Sequence, residues 1–351
     1  MTQEKIRIGI TQGDINGISY EVIIKALNDN RILDVCTPVV YGSPKVAAYH
    51  RKALNIDNFS FNNIKSPEEA NPKRANIINC LDDSVRVELG KSTKTAGEAS
   101  YLALEAAVND LEHQKLDALV TGPINKHNIQ SDRFNFAGHT EYLESRFPSD
   151  GVLMFMISEV LKIGIVTGHV QFSRIIEYLT KEVILNKLRI MNRSLLADFM
   201  IRRPKIAVLG LNPHASDNGL IGNEEQEIIR PALDLAREEN MMVFGPFPPD
   251  GFFGSGSFAK FDAVLSMYHD QGLIPFKALM AGSGVNFTAG LPVVRTSPAH
   301  GTSYEIAGKG EARPDSFRDA IYLACDIYKN RQLDHEITAN PLKTYNITES
   351  Q

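Results

Sequence analysis

Residues 162–170 read KIGIVTGHV, a short apolar run that ends in Thr-Gly-His. Near-continuous hydrophobicity over about five residues predicts a strand buried on both faces, as in a parallel sheet. The glycine behind it permits a sharp turn and leaves a polar side chain at the strand's carboxyl end. The pattern recurs. Ile6–Ile10, Pro38–Tyr41, Ala118–Thr121, Val152–Ile157, Ile163–Thr167, Lys205–Leu211, Met241–Phe244 and Ala263–Met267 read as strands. Between them Gly97–His113, Glu182–Met200 and Glu224–Glu239 repeat apolar residues at helical spacing. Strand and helix in alternation give the α/β class. TQGD, TGPINKH, TGH, LNPH and YHDQG each follow a strand. Ligands of open α/β sheets bind just past such ends, so the reactive groups are expected on one rim.

A chain of 351 residues is long enough for two lobes that share a cleft. With a net charge of −5 and no long basic run, a broad nucleic-acid-binding face is excluded. An anionic ligand must then be met by a few placed cations. Cys36, Cys80 and Cys325 lie far apart and form no CxxC pair, which argues against disulfide or thiolate–zinc frameworks and fits a reducing cytoplasm. The opening MTQEKIRIGI has no apolar run of signal-peptide length, and no stretch approaches the eighteen apolar residues of a membrane span. There is no internal repeat or low-complexity linker. The tail turns polar from about Asn330, and Glu349–Gln351 is expected to fray.

His169, His214 and His269 each close an apolar run. A lone histidine after a strand is more often a polar loop residue than a ligand. Three in one structural setting, among nine histidines, point to a shared divalent-metal site with positions open for substrate or water. Their spacing is that of one to two βαβ units, so they converge only through the fold. His139 and Thr140 in AGHTEYL stand where a loop meets a helix. They suit a phosphate or carboxylate there, or Thr140 simply caps the helix. Residues 271–310 interleave Lys277, Asn286, Arg295 and His300 with seven glycines, a composition of anion-binding loops in which Arg holds a phosphate through two parallel bonds. No GxGxxG follows the first strand. GKST at 90–93 is only half a phosphate loop, with Val85 where the first glycine belongs.

The segments GDINGISYE, VTGPINK, FAGHTEYL, LNPHASDNG, GPFPPDGFF, YHDQGLIPFK and GVNFTAGLPVVRTSPAHGTSYEIAGKG occur in order. On these motifs the chain resembles the 4-hydroxythreonine-4-phosphate dehydrogenase family of vitamin B6 biosynthesis over essentially its whole length. The resemblance implies two α/β/α lobes around a cleft, like isocitrate and isopropylmalate dehydrogenases, which bind NAD without the usual glycine fingerprint. It implies a nucleotide-side domain of residues 1–128 plus 301–345, and a metal, substrate and dimerisation domain of residues 129–300. A divalent ion (Zn, Mg or Co) would be held by His169, His214 and His269, and substrate by His139, Thr140, Lys277, Asn286 and Arg295. His300, Gly301 and Thr302 would face NAD or NADP. Members are homodimers with shared active sites, so the three ligands need not come from one chain.

The implied chemistry is oxidation of a hydroxyl, then loss of the carboxylate as CO₂, to give 3-amino-2-oxopropyl phosphate. Lys277 and Arg295 would neutralise anionic groups, with Lys277, Asp250 and Asp270 as candidates for catalysis and proton handling. The first loop departs from the family's usual GDPAGIGPE at Ile15, Asn16, Ser19 and Tyr20, and Pro249–Phe253 departs from PADTxF. These differences leave D-threonate or D-erythronate 4-phosphate open as substrates. A three-histidine hydrolase or a non-catalytic phosphometabolite-binding protein are the rival readings.

Overall fold

The computed structural model describes residues 5–340 except Asp83 and Ala281. Residues 341–345 of the expected nucleotide-side segment, and the tail at Glu349–Gln351, lie outside the described residues. Twelve strands form one sheet: β1 (Ile6–Thr11), β2 (Cys36–Gly42), β3 (Asn62–Ile64), β4 (Asn76–Asn79), β5 (Ala118–Thr121), β6 (Leu153–Ile157), β7 (Lys162–Thr167), β8 (Lys205–Leu209), β9 (Met242–Phe247), β10 (Ala263–Tyr268), β11 (Val285–Ala289) and β12 (Val294–Pro298). Their order is β3-β4-β2-β1-β5-β12-β11-β6-β7-β10-β8-β9. The longer helices are α1 (Ser19–Leu27), α2 (Pro44–Ala53), α3 (Lys94–Glu112), α4 (His139–Arg146), α5 (Lys181–Ala197), α6 (Arg230–Glu238), α7 (His269–Leu279) and α8 (Asp315–Ala339). Among the described residues no helix is long and apolar enough to cross a membrane.

The parallel sheet expected from the apolar runs holds only on the two flanks. β11 pairs antiparallel with both β12 and β6, and β6 pairs antiparallel with β7. Strands β7, β10, β8 and β9 therefore run opposite to β1, β2 and β5, so the carboxyl ends do not share one rim. Hydrophobicity reports burial on two faces, not strand direction. Residues 271–310, read as glycine loops, contain most of α7 and the β11–β12 hairpin.

Local chemistry sets the helix starts. Ser43, Thr93 and Thr180 each accept a backbone N–H three residues on, from Val46, Ala96 and Val183. The GKST stretch is thus a turn at Gly90 (φ 76°) leading into a capped helix.

One face of the central strands is apolar but for Thr296, whose Oγ1 donates to Ala320 O of α8 at 2.8 Å. Val120, Phe155, Phe287 and Val294 point there and pack under Phe317, Ala320, Ile321 and Ala324 of α8. Each such side chain, fully buried, contributes about 1.5–3 kcal/mol. On the opposite face the core splits in two. Leu119 packs with Leu104, Val108 and Leu143 from α3 and α4, whereas Ile163, Ile165 and Val264 pack with Leu273 and Phe276 from α7. The two clusters leave a gap, and the side chains that fill it are polar.

Candidate functional site

Period-2 alternation decides which groups enter the gap. On β12, Val294 faces the α8 side, so Arg295 and Ser297 face the other way. On β11, Val285, Phe287 and Ala289 face α8, leaving Asn286 and Thr288 opposite, with Asn286 paired to Ser297 in register. Asn286, Arg295 and Ser297, with Thr121 from β5 and Met154 and Met156 from β6, floor a cavity of about 240 Å³. Its walls carry Lys126, His139, Thr140, Glu141, His169, His269, Lys277, His300 and Gly301.

Arg295 is 2% exposed. Its Nε and Nη2 donate to Thr121 Oγ1 at 3.1 and 2.6 Å, its Nη1 to Thr288 Oγ1 at 3.1 Å, and its Nη2 also to His139 Nδ1 at 3.1 Å. Burial pushes the guanidinium down to about 10, which still leaves it cationic at neutral pH. Most of its donors are therefore spent on the protein. The two parallel bonds expected to a phosphate are not free, because a buried guanidinium must be satisfied by its neighbours. Arg295 thus presents its charge to the cavity and one of its donors to His139.

A guanidinium only donates, so His139 Nδ1 accepts and the ring proton sits on Nε2. Burial first, then the positive charges of Arg295 and Lys126, hold His139 well below the usual histidine range, so it is neutral. Its Nε2 is buried with no protein partner. Three buried acceptor atoms stand equally alone: Asn286 Oδ1, Glu141 Oε2 and His300 Nε2. His300 Nδ1 donates to Gly301 O at 3.1 Å, which leaves Nε2 as a bare lone pair, and burial lowers its pKa. Around this cavity Lys126, Lys277 and Arg295 outnumber Glu141. In a chain with net charge −5, that is a local site for an anion that also carries hydrogen-bond donors.

Thr140 does not cap α4. Its N-cap is Gly138, with φ 175°, and Thr140 sits in the first turn on the cavity wall. Lys126 and Glu141 were given no role by the sequence, although Lys126 ends the VTGPINK motif. Lys126 Nζ lies 3.0 Å from His169 Nε2, and His169 Nδ1 lies 3.9 Å from Glu141 Oε1.

β7 and β10 are parallel neighbours with Thr167 opposite Tyr268, so His169 and His269 emerge side by side, ring centroids 5.7 Å apart. His269 Nδ1 is bonded to Asp270 Oδ1 at 2.7 Å. A carboxylate on Nδ1 orients the ring and leaves Nε2 for a cation, the usual support behind a metal-binding histidine. The pair presents two imidazoles of the kind a divalent ion takes, with Lys126 Nζ against Nε2 of His169. His214 stands apart from it. It is exposed and does not line the cavity, and among the described residues no three His, Cys, Asp or Glu form a metal-holding group. His214 rides on an irregular turn, Pro213–Gly219, in which His214 to Asn218 all have φ between 44° and 69°. For L-residues this conformation costs about 1–2 kcal/mol each.

Asp250 is also outside the cavity. With Asp270, Asn212, Pro213, Phe172, Ile176, Phe253 and Ile274 it lines a separate apolar groove of about 740 Å³. Thr302 contributes its backbone, accepting from Ile18 N at 3.0 Å. The altered first loop is structural. Asn16 donates to Lys91 O (2.9 Å) and Thr93 Oγ1 (3.0 Å) and accepts from Glu88 N (2.7 Å), while Tyr20 OH donates to Gln12 Oε1 at 2.7 Å. Asp14 accepts from Tyr304 OH (2.7 Å) and Asn128 Nδ2 (2.8 Å), tying the 300s loop to the segment that carries Lys126.

The fold and cavity define an α/β protein whose cavity sets Lys126, Lys277 and Arg295 beside a pair of histidines. Residues 34–324 match the family described as pyridoxal phosphate biosynthetic protein PdxA, and the chain belongs to that family. A 4-hydroxythreonine-4-phosphate dehydrogenase of Bacteroides thetaiotaomicron is 54% identical, over 98% of this chain and 94% of that protein. A relative from Oceanobacillus iheyensis, provisionally named a D-threonate 4-phosphate dehydrogenase, is 36% identical over 91% of this chain and 97% of its own. The crystal structure of the Klebsiella pneumoniae 4-hydroxythreonine-4-phosphate dehydrogenase superposes with a TM-score of 0.81 at 32% identity, covering 93% of this chain and 99% of that one. An isocitrate dehydrogenase from Methylococcus capsulatus has a TM-score of 0.50 at 13% identity, over 95% of this chain and 89% of its own, a likeness of fold alone. The chain is thus an oxidoreductase-family member with the dehydrogenase fold the motifs implied.

Proposed function

We propose that this protein oxidises and decarboxylates 4-phosphooxy-L-threonine to 3-amino-2-oxopropyl phosphate in pyridoxal 5'-phosphate biosynthesis, in the cytoplasm, with NAD or NADP as hydride acceptor. The observation that carries the reading is the set of unmatched groups in the cavity. The cations call for phosphate and carboxylate; Asn286 Oδ1 and Glu141 Oε2 call for hydroxyl and ammonium donors. The proposed substrate carries all four.

In this reading His139 Nε2–H donates to an anionic oxygen, with the tautomer fixed by Arg295. Lys277 and Arg295 neutralise charge without a shell of water, which strengthens both interactions. Met154 and Met156 keep the floor apolar between them. Asp270 holds His269, and Lys126 supplies positive charge beside His169. A bound Zn, Mg or Co ion would polarise the substrate's hydroxyl oxygen and the carbonyl it becomes. His300, Gly301 and Thr302 stand on the side assigned to the nicotinamide. Residues 1–128 with 301–345 serve as the nucleotide side and 129–300 as the metal and substrate side.

The site is completed in a homodimer, where His214 of a second copy joins His169 and His269. The exposed position of His214 supports this, as does the apolar groove between its turn and the start of α7. In that groove Phe172 is 76% and Ile274 66% exposed, more apolar surface than a lone chain tends to leave bare.

D-Threonate or D-erythronate 4-phosphate is the second reading, supported by the Oceanobacillus relative. The test is NADH formation, followed by absorbance, from each of the three phosphates with and without a chelator. Turnover confined to 4-phosphooxy-L-threonine and lost on chelation supports the proposal. Turnover of a sugar-acid phosphate alone supports the second, and phosphate release without NAD reduction would make the protein a hydrolase.

A further inference from the structure

We propose that Glu225 is the positioning residue for His214, holding the left-handed turn so that the imidazole reaches the metal site of a second copy already oriented. The inference rests on the reading of His214 as a ligand given above.

Five consecutive non-glycine residues with positive φ do not persist unless their surroundings over-determine them. Glu225 does so at the entry to the turn. It is fully buried, and its Oε1 accepts from the backbone N–H of both Leu211 and Asn212 at 2.7 Å. Its Oε2 accepts from Asn212 Nδ2 at 2.9 Å. One carboxylate thereby fixes the two peptides that precede Pro213. The proline in turn keeps Asn212 extended, at φ −86° and ψ 157°. The next residue, Gln226, grips the middle of the turn through Ser216 Oγ at 2.9 Å, and Ile221 N closes it onto Ser216 O at 3.0 Å.

Glu225 and Gln226 open a single π-helical turn, Glu225–Ile229, ahead of α6. A π turn carries an extra residue that an α-helix would not hold, and such turns recur where a side chain has to be re-aimed. The packing leaves no slack, since a Cβ on Gly210 would stand 3.1 Å from both Ala215 and Glu225 Oε1. Gln271 then ties this base to the other histidine loop, with Nε2 donating to Gly210 O at 2.6 Å and Oε1 accepting from Met267 N at 2.7 Å. Nothing in the reaction assigned to the cavity needs a buried carboxylate at Glu225. Its geometry is spent on where His214 stands.

The experiment measures Co²⁺ affinity of metal-stripped full-length protein by titration calorimetry for wild type, Glu225→Ala, Glu225→Gln, His214→Ala and the Glu225→Ala/His214→Ala double variant. Loss of a group behind a metal ligand weakens binding roughly 10–100-fold. Glu225→Ala is expected to fall in that range and Glu225→Gln between it and wild type, since an amide oxygen still accepts from Leu211 and Asn212. The double variant should bind no more weakly than His214→Ala alone, because Glu225 acts through that ring. Additive losses, or wild-type affinity in Glu225→Ala while His214→Ala is impaired, would overturn the inference and leave the ligand reading standing. Wild-type affinity in His214→Ala would instead remove the ligand reading. Where Glu225→Ala does not fold, Glu225→Gln carries the test, and full affinity in that variant overturns the proposal.

Discussion

Arg295 Nη2 and His139 Nδ1 meet at 3.1 Å, both residues buried, and that contact decides which nitrogen of the imidazole carries the proton. A cation that cannot give up its hydrogen forces its neighbour to accept, so the Nε2–H is left for a ligand. The guanidinium earns its place by this contact as much as by charge.

Arg295→Lys keeps the charge but cannot reach Thr121, Thr288 and His139 together. KM for the phosphorylated substrate should rise about tenfold or more, and ¹⁵N NMR of His139 should show mixed tautomers, each difference of about 1.4 kcal/mol being a tenfold change. An unchanged KM with an unchanged His139 spectrum would show that the pair has no such role.

Asn16→Ala installs the residue the family usually carries at this position. Here it removes a buried side chain and leaves the partly buried amide of Glu88 and carbonyl of Lys91 without that partner. Unfolding free energy from urea melts should fall by about 1–3 kcal/mol, with kcat little altered. Wild-type stability would mean that the 88–93 turn is held by other contacts.

Acid should destabilise the fold through buried neutral histidine. His50 Nε2 donates to Ile15 O (2.8 Å), the ring stacks on Tyr20 at 5.2 Å, and burial pushes its pKa down to about 4. Its folded pKa lies below the unfolded value near 6.5, so below 6.5 the unfolded chain binds the extra proton. Stability from this group is complete above about pH 6.5 and lost as pH falls toward 4, in total about 3 kcal/mol. His50→Gln should lose less stability than wild type between pH 7 and pH 4.5 in urea melts. Parallel losses would assign the acid sensitivity to other groups.

Much of this was legible in the sequence. The eight apolar runs became β1, β2 and β5–β10, with ends shifted by a few residues at most, because β-branched runs between glycines have few other fates. β11 and β12 were not legible as strands. VNFTA and VRTSP carry a polar residue at every second position (Asn286 and Thr288, Arg295 and Ser297), VRTSP has Thr296 besides, and both sit among glycines, so they read as anion-binding loops. That same alternation aims Asn286 and Arg295 into the cavity: the composition of 271–310 and the motif resemblance both point to these residues, but the reason they converge needs the register. β3 and β4 are too short and too rich in Asn to announce themselves. The direction of β7 relative to β5 leaves no mark on hydropathy at all. Lys126 ends the VTGPINK motif yet carries no sign of its place, since nothing in a loop sequence shows which histidine it will meet.

Subunit complementation tests the central claim most directly. His214→Ala and His169→Ala are each prepared alone, then co-expressed and assayed for NADH formation. Each variant alone should be inert with its fold intact. A mixed dimer would regain one complete site, so a random mixture should recover about a quarter of wild-type activity per chain. Isolated mixed dimers with no activity, or a fully active His214→Ala protein, would contradict a site built from His169 and His269 of one chain and His214 of another.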